Sequence, residues 1–512
     1  TPPLNFIYDR RGRRVQILQG GITTTLAYND ADLPLSESYT GGPLNGLTVT
    51  AAYDGWLRRS GLWLDTQPAV NTTWGYDAAG RLETVSQGGT TVAYQYVANS
   101  LLVGHIAFAL NAQPRMSTSK EYDRASRLVG IRSVPQGPGA DGRALGAHYG
   151  YNAAGQRIRA SLPDGSYWLY TYDRLGQVIS GKRYWQDGTP VAGQQFEYSF
   201  DDIGNRKETR AGGDGAGLNL RSASYSANAL NQYTSRDVPG FVDIMGVANP
   251  GGAVTVNGNA ALRQGEYFHH ALAVANSSQP WHGTVQVSSA YPPGAVESGA
   301  VFVPRTPESF SHDADGNLTH DGQWVYTWDA ENRLVRMVSA NTNPAVGPQQ
   351  RIEFGYDWHG RRVSKRVWNN TSGTGAPVAD LKFVYDLSAG PAGGWNVLAI
   401  LDSAFSLQPS FAWGLDLSGT MDGAGGVGGL LSVTVHTGPN AGTYFYAYDG
   451  NGNVMALVSA ADGSVAARYE YGPFGELLRA TGPMAKANPF RFSTKYQDDE
   501  TGLLYYGYRY YN

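Results

Sequence analysis

The chain has 512 residues, of which 16% are charged, with 66 glycines, 33 tyrosines and a formal net charge of -4. That length exceeds what one ordinary core organises, so several domains or an extended architecture is required, and the charge balance argues against nucleic acid as an obligate partner. The absence of cysteine excludes disulfide staples, metal-thiolate sites and cysteine nucleophiles.

The amino end, Thr1-Pro2-Pro3-Leu4-Asn5-Phe6, has neither the charged region nor the apolar region of a signal peptide. The chain is therefore expected to be a mature fragment or a trimmed product. The longest apolar runs, such as Val397 to Leu401, fall far short of a membrane span.

A seven-position phrase then keeps returning. Its cleanest copy is Tyr76-Asp77-Ala78-Ala79-Gly80-Arg81-Leu82. Asp can bond its own backbone two residues on, and Gly supplies the positive φ that tight turns need. The flanks alternate, as in Val92-Ala93-Tyr94-Gln95-Tyr96, so each copy reads as a β-hairpin. Copies begin at Tyr8, Tyr28, Tyr53, Tyr122, Tyr151, Tyr172 and Phe200, and again at His312, Trp328, Tyr356, Tyr385 and Tyr448. Neighbours stand roughly 20 to 30 residues apart, the spacing of repeat arrays.

The rhythm stops after about residue 236. From 237 to 309 it gives way to short β-rich runs, Ala253-Val254-Thr255-Val256, Gly283-Thr284-Val285-Gln286-Val287 and Ala300-Val301-Phe302-Val303, separated by turn residues. This stretch reads as a small inserted β-sandwich. The repeats resume at Phe310, with a polar loop at 369–379 and a glycine-dense one at 419–429. The one helical candidate, around Pro483 to Lys486, is very short.

The carboxyl end is the most specific part. Tyr471-Gly472-Pro473-Phe474-Gly475-Glu476, Phe490-Arg491-Phe492-Ser493 and Asp499-Glu500-Thr501-Gly502-Leu503-Leu504-Tyr505-Tyr506-Gly507-Tyr508-Arg509-Tyr510-Tyr511 resemble the core signature of the RHS/YD-repeat proteins. The resemblance covers nearly the whole chain. It implies an all-β fold whose hairpins form a spiralling sheet around a hollow shell: 1–236 as the first part, 310–439 as the second, and 440–512 as the core that closes it. Bacterial members usually enclose a toxic C-terminal segment, and teneurins use a related shell in adhesion. Tyr505, Tyr506, Tyr508, Tyr510 and Tyr511 suit packing inside that shell.

Several local patterns invite a ligand reading. Gly423-Ala424-Gly425-Gly426-Val427-Gly428 matches the dinucleotide fingerprint, but Leu430 to Val435 after it reads as a strand, so a structural turn is expected. Asp313-Ala314-Asp315-Gly316-Asn317 lacks the Gly and Glu positions of a calcium loop and follows the repeat turn instead. His269 and His270 point to opposite faces of a strand and cannot share a metal. The basic runs Arg10 to Arg14 and Arg361 to Arg366 read as solvated strand edges. The sequons at Asn71, Asn276, Asn317 and Asn370 are expected to be bare, and the acidic cluster Asp498, Asp499 and Glu500 to be structural. Many bacterial members cut themselves near an Asp-Pro-x-Gly motif, and the chain stops at Asn512 before one. No catalytic, cofactor-binding or metal-ligating residue, and no cofactor, is expected.

Three functions remain open at this level. The first is a shell that encapsulates and helps deliver a C-terminal toxin or peptide cargo. The second is a cell-surface adhesion protein, with glycans, proteins or further copies of itself as partners. The third, a carbohydrate-active enzyme, lacks a carboxylate pair set apart from the repeats. The resemblance implies a secreted or cell-surface location, without nucleic acid or a membrane span.

Overall fold

Each repeat closes on its aspartate. In the computed structural model, which describes residues 3–387 and 394–512, Asp77 accepts the backbone N–H of Ala79 at 2.9 Å and of Arg81 at 2.8 Å on one oxygen, and Arg81 Nε at 2.7 Å on the other. Gly80 turns the chain at φ +79°. The Arg81 guanidinium lies 4.3 Å over the ring of Tyr96 in the next repeat, and Tyr96 Oη donates back to Leu82 O at 2.7 Å. The clip recurs at Asp9, Asp54, Asp123, Asp329 and Asp357. Each hairpin is thereby tied to the one before it, the nearest-neighbour logic of repeat proteins. Among the turn carboxylates, Asp9, Asp77 and Asp123 sit below the ordinary range, first because of the backbone N–H four residues on.

Stacked this way, the hairpins make two antiparallel ladders in chain order, one of 21 strands beginning at Leu4–Tyr8 and one of 14 ending at Leu477–Thr481. They are separate sheets that meet along one short stretch of chain. Ser309 pairs with Ser235 in the first ladder and Ser311, two residues on, with His320 in the second. The chain between is occupied by two small sheets. One joins Phe241–Val247, Tyr267–Ala273 and Leu262–Gln264, and the other joins Asn259–Ala260, Val254–Val256, Trp281–Ser289 and Ala295–Val303. They dock on the first ladder where Tyr267 Oη donates to Ala192 O at 2.6 Å and Asp243 holds Arg221 at 2.8 Å. Among the described residues there is no α-helix, and Pro483 to Lys486 is a turn.

The sheet rolls inward. Successive strand residues face opposite sides. Phe445, on the second ladder, meets Phe108 of the first at 5.3 Å between ring centroids, while its neighbour Tyr446 donates to Asn488 Oδ1 at 2.7 Å. Arg361 reaches Glu37 of the first ladder at 2.6 Å, and Arg362 reaches Asp498 at 2.6 Å. The second ladder is therefore a middle layer. The first ladder covers one face and the C-terminal segment from Met484 to Tyr511 covers the other. One apolar cluster runs through all three layers.

Where the C-terminal segment packs, the interior is filled rather than empty. Inner-face rings such as Phe383, Phe411 and Trp413 must be removed from water, and Tyr496 and Phe490 pack on them at 5.0–5.7 Å. The accessible surface, 23011 Å², still exceeds the roughly 18,000 Å² of a compact monomer of this mass, as a rolled sheet with exposed turns should.

Candidate functional site

Two places concentrate chemistry. The first is the seat of the C-terminal segment. Asp498 lies between Arg362 Nη1 at 2.6 Å and Lys365 Nζ at 2.8 Å, and Lys365 also reaches Glu500 at 2.6 Å. The rings of Phe354, Phe383, Tyr496 and Tyr505 surround the Arg362 guanidinium at 4.6–5.2 Å. Burial alone would push the Asp498 carboxyl up, but Arg362 and then Lys365 hold it below the carboxylate range. Arg361 is equally enclosed, with Asp357 and Glu37 each at 2.6 Å.

The basic run is thus not a solvated edge: Arg361 and Arg362 are 0% exposed and Lys365 3%. The reason is layering: beyond the local Asp357 clip, Arg361 meets Glu37 of the first ladder, and Arg362 and Lys365 meet the C-terminal segment. Arg10 and Arg11, by contrast, are exposed as expected. Of the terminal tyrosines, Tyr505 is buried, Tyr506, Tyr510 and Tyr511 are half-buried, and Tyr508 is 74% exposed, contrary to its expected place inside.

The second place is a cavity of about 1320 Å³ between the ladders, where strands from Leu145–Tyr151 to Val178–Tyr184 part from the segment 449–493. Trp168 and Tyr170 stack there with centroids 6.2 Å apart and planes at 8°. Arg157 lies 3.8 Å over the Tyr149 ring and donates to Asn451 Oδ1 at 2.6 Å. Gly450 lets the second ladder come this close, because a Cβ there would stand 2.6 Å from the Tyr149 ring. Glu470 bridges Arg183 at 3.0 Å and Arg479. Burial pushes the Asp449 carboxyl up. No stretch of sequence signals this cavity, because its walls meet across long separations, as Arg157 and Asn451 do over 294 positions.

The other motifs are accounted for locally. The glycine fingerprint cradles a carboxylate of its own chain: Ala424 and Gly426 N–H donate to Asp416 Oδ2 at 2.6 and 3.2 Å, which occupies the donors a phosphate would need. Asp313 spends its oxygens on Asp315 N, Asn317 N and Asn317 Nδ2. His269 is buried on Asp243 at 2.7 Å, while His270 faces the backbone oxygen of Ala260. Among the described residues no three His, Asp or Glu side chains are placed to hold a metal. Asn276 is no open sequon, since its buried amide donates to Val238 O and Pro304 O.

Comparison with known proteins agrees with the repeat. The family model described as RHS Repeat matches residues 151–189. A tRNA3(Ser)-specific nuclease WapA of Bacillus spizizenii is 30% identical over 205 residues, covering 40% of this chain and 7% of the relative. The tRNA nuclease WapA of Bacillus subtilis (strain 168) is 26% identical over the same length and shares. The chain thus spans about 7% of the length of the curated relatives it matches. Among solved structures, TcdB2-TccC3-Cdc42 is similar over 99% of this chain and 26% of that one, at 14% identity and a TM-score of 0.44. The Photorhabdus luminescens Tc holotoxin pore is similar over 100% and 26%, at 14% identity and a TM-score of 0.38. Residues 151–189 thus resemble an RHS repeat, within a chain whose hairpins form long antiparallel ladders.

Proposed function

We propose that the chain is a structural wall segment of an exported bacterial RHS-repeat protein, a non-enzymatic scroll that helps enclose and deliver a C-terminal toxin or peptide cargo. The observation that carries this reading is the pair of long ladders that follow one another in the chain, rolled so that Tyr446 and Tyr469 of the second turn toward the C-terminal segment. The RHS repeat at 151–189 supports it. The residues 237–309 act as an insert that braces the outer ladder, and 440–512 as the closing core. The interior described here is filled by the C-terminal segment, and a 1320 Å³ cavity is close to small-molecule size. Room for a folded cargo must therefore come from more wall than these residues supply.

Mass spectrometry of the protein purified from its native source tests the proposal. A co-purifying polypeptide that resists protease until the wall is denatured is the expected result. A cargo digested as fast as in its free form would overturn it. A second reading, adhesion at a cell surface, is favoured by one feature. The tips of three alternate turns expose Leu175, Ile203 and Leu230 at 70–76%. A surface-attached chain without cargo, whose binding to cells is lost on changing these three to serine, would decide for it.

A further inference from the structure

The edge of a sheet presents free donors and acceptors, and a long flat edge templates further pairing unless it is short, bulged, charged or covered. Leu4–Tyr8 at the start of the first ladder and Leu477–Thr481 at the end of the second have five residues each, with a register shift in their pairing. The insert has no such protection. Ala295–Val303, nine residues long, pairs with Trp281–Ser289 in one unbroken register and with nothing on its other side. It is the longest one-sided strand among the described residues. It holds no lysine and no proline, its one charge is Glu297, and it is exposed from Ala295 through Ala300.

The neighbouring strand fixes which peptide groups are free. Ala290 N–H donates to Ala253 O at 3.0 Å and Asn257 N–H to Gln286 O at 2.8 Å, so the even-numbered residues of this stretch turn their peptide groups toward Val254–Val256. The odd-numbered ones turn the other way and meet Ala295, Glu297, Gly299, Val301 and Val303. Val296, Ser298, Ala300 and Phe302 therefore aim N–H and C=O outward, and no hydrogen bond from the described residues reaches them. The strand that fits this edge must offer free groups at the same spacing and keep its charge away from Glu297. Ala295–Val303 itself meets both conditions. Laid antiparallel on its copy about a two-fold axis at Gly299, Val296 faces Phe302 and Ser298 faces Ala300, so every outward N–H and C=O finds a partner. Glu297 then faces Val301, and the two carboxylates stand roughly 14 Å apart along the strands, beyond the screening length. Neighbouring registers lose an end pair: about Ser298, Phe302 meets Gly294 beyond the strand, and about Ala300, Val296 meets Pro304, which has no N–H. At the axis two glycines meet where paired backbones come closest, and a Cβ on Gly299 would touch nothing within 4 Å in its own chain.

We propose that Ala295–Val303 is a dimerisation edge, to which a second copy of this chain adds its own Ala295–Val303 antiparallel about a two-fold axis at Gly299. One strand pair buries less than the roughly 1,200 Å² of a standard interface, so the pairing is weak and concentration-dependent. It rests on the insert and is independent of the cargo reading.

Sedimentation equilibrium of the full chain tests it. The expected result is a dimer that forms at micromolar concentration and is lost in Ser298→Pro. Proline there removes only an outward N–H, so the bonds to Trp281–Ser289 and the melting temperature should hold. If that variant fails to fold, two changes of charge decide the matter. Val301→Glu sets like charges opposite Glu297 and should weaken the dimer about tenfold, while Val301→Lys sets opposite charges there and should tighten it. The register is read by Gly299→Cys, the sole thiol in the chain, which should oxidise to a disulfide-linked dimer far faster than Glu297→Cys. A wild-type chain that stays monomeric, a dimer of unchanged strength in Ser298→Pro or Val301→Glu, or equal linking of the two cysteine variants would each overturn the proposal.

Discussion

The outer and inner ladders are built from the same repeat yet bury it differently. In the outer ladder Thr90–Tyr96 alternates between buried and open positions, the pattern of a sheet with one wet face. In the inner ladder all five residues of Val397–Leu401 are buried, because the outer ladder covers one side and the C-terminal segment the other. The turn clip shows the same contrast. Asp77–Arg81 and Asp357–Arg361 have nearly identical geometry, at 2.7 and 2.6 Å, but the first lies at the surface and the second deep between layers. Position in the roll, more than the repeat itself, decides what an interaction is worth.

The largest expected effect follows from that difference. Asp498→Ala leaves Arg362 buried without its carboxylate and Lys365 with Glu500 alone, and should destabilise the protein by about 3–5 kcal/mol. The corresponding change in the outer ladder, Asp77→Ala, should shift the urea midpoint far less, since exposed ion pairs are screened. Comparable shifts for the two would show that the layers are not distinct. Next in size is Phe411→Ala, which empties the contact with Phe490 and should cost about 3–5 kcal/mol at the upper end of what its neighbours can relax. Loss of less than about 1 kcal/mol would mean that the C-terminal segment does not cover this face.

Acid should separate a buried group from the turns. The carboxyl of Asp422 is pushed up to about 6, first by burial and then by Asp386. A raised carboxyl binds its proton more readily in the folded state, so this group adds stability as pH falls from about 6 toward its unfolded value near 4. The depressed carboxyls of Asp9, Asp77 and Asp123 work the other way, contributing stability above their unfolded values and losing it as pH drops further. Melting temperature against pH should therefore rise slightly below pH 6 and then fall, and Asp422→Asn should flatten the rise. An unchanged rise in that variant would contradict the assignment.

The smallest effect concerns a turn. Leu57 stands where Gly80 stands in the next repeat and is held at φ +62°. Leu57→Gly should relieve about 1 kcal/mol of left-handed strain, offset in part by added freedom in the unfolded chain. A lower melting temperature in that variant would show that the side chain supports the turn.

The repeat was legible because its bonds are local. Asp, Gly and Arg within four residues specify the clip, and the loss of the phrase after about residue 236 marks where the ladder is interrupted. The layering was not legible. Arg361 and Arg362 are adjacent in sequence but face opposite layers, one toward Glu37 and the other toward Asp498, and no window of sequence contains both contacts. The same blindness applies to Arg157 and Asn451, which meet only because the sheet rolls.

The roll itself can be tested directly, because the chain has no cysteine to interfere. A short bis-maleimide should join cysteines placed at 108 and 445, and separately at 446 and 488, in the folded protein. It should not join 108 to 446, whose side chain points to the opposite layer. Efficient linking of 108 to 446, with none between 446 and 488, would mean that the inner ladder turns its other face outward and that the scroll described here is wrong.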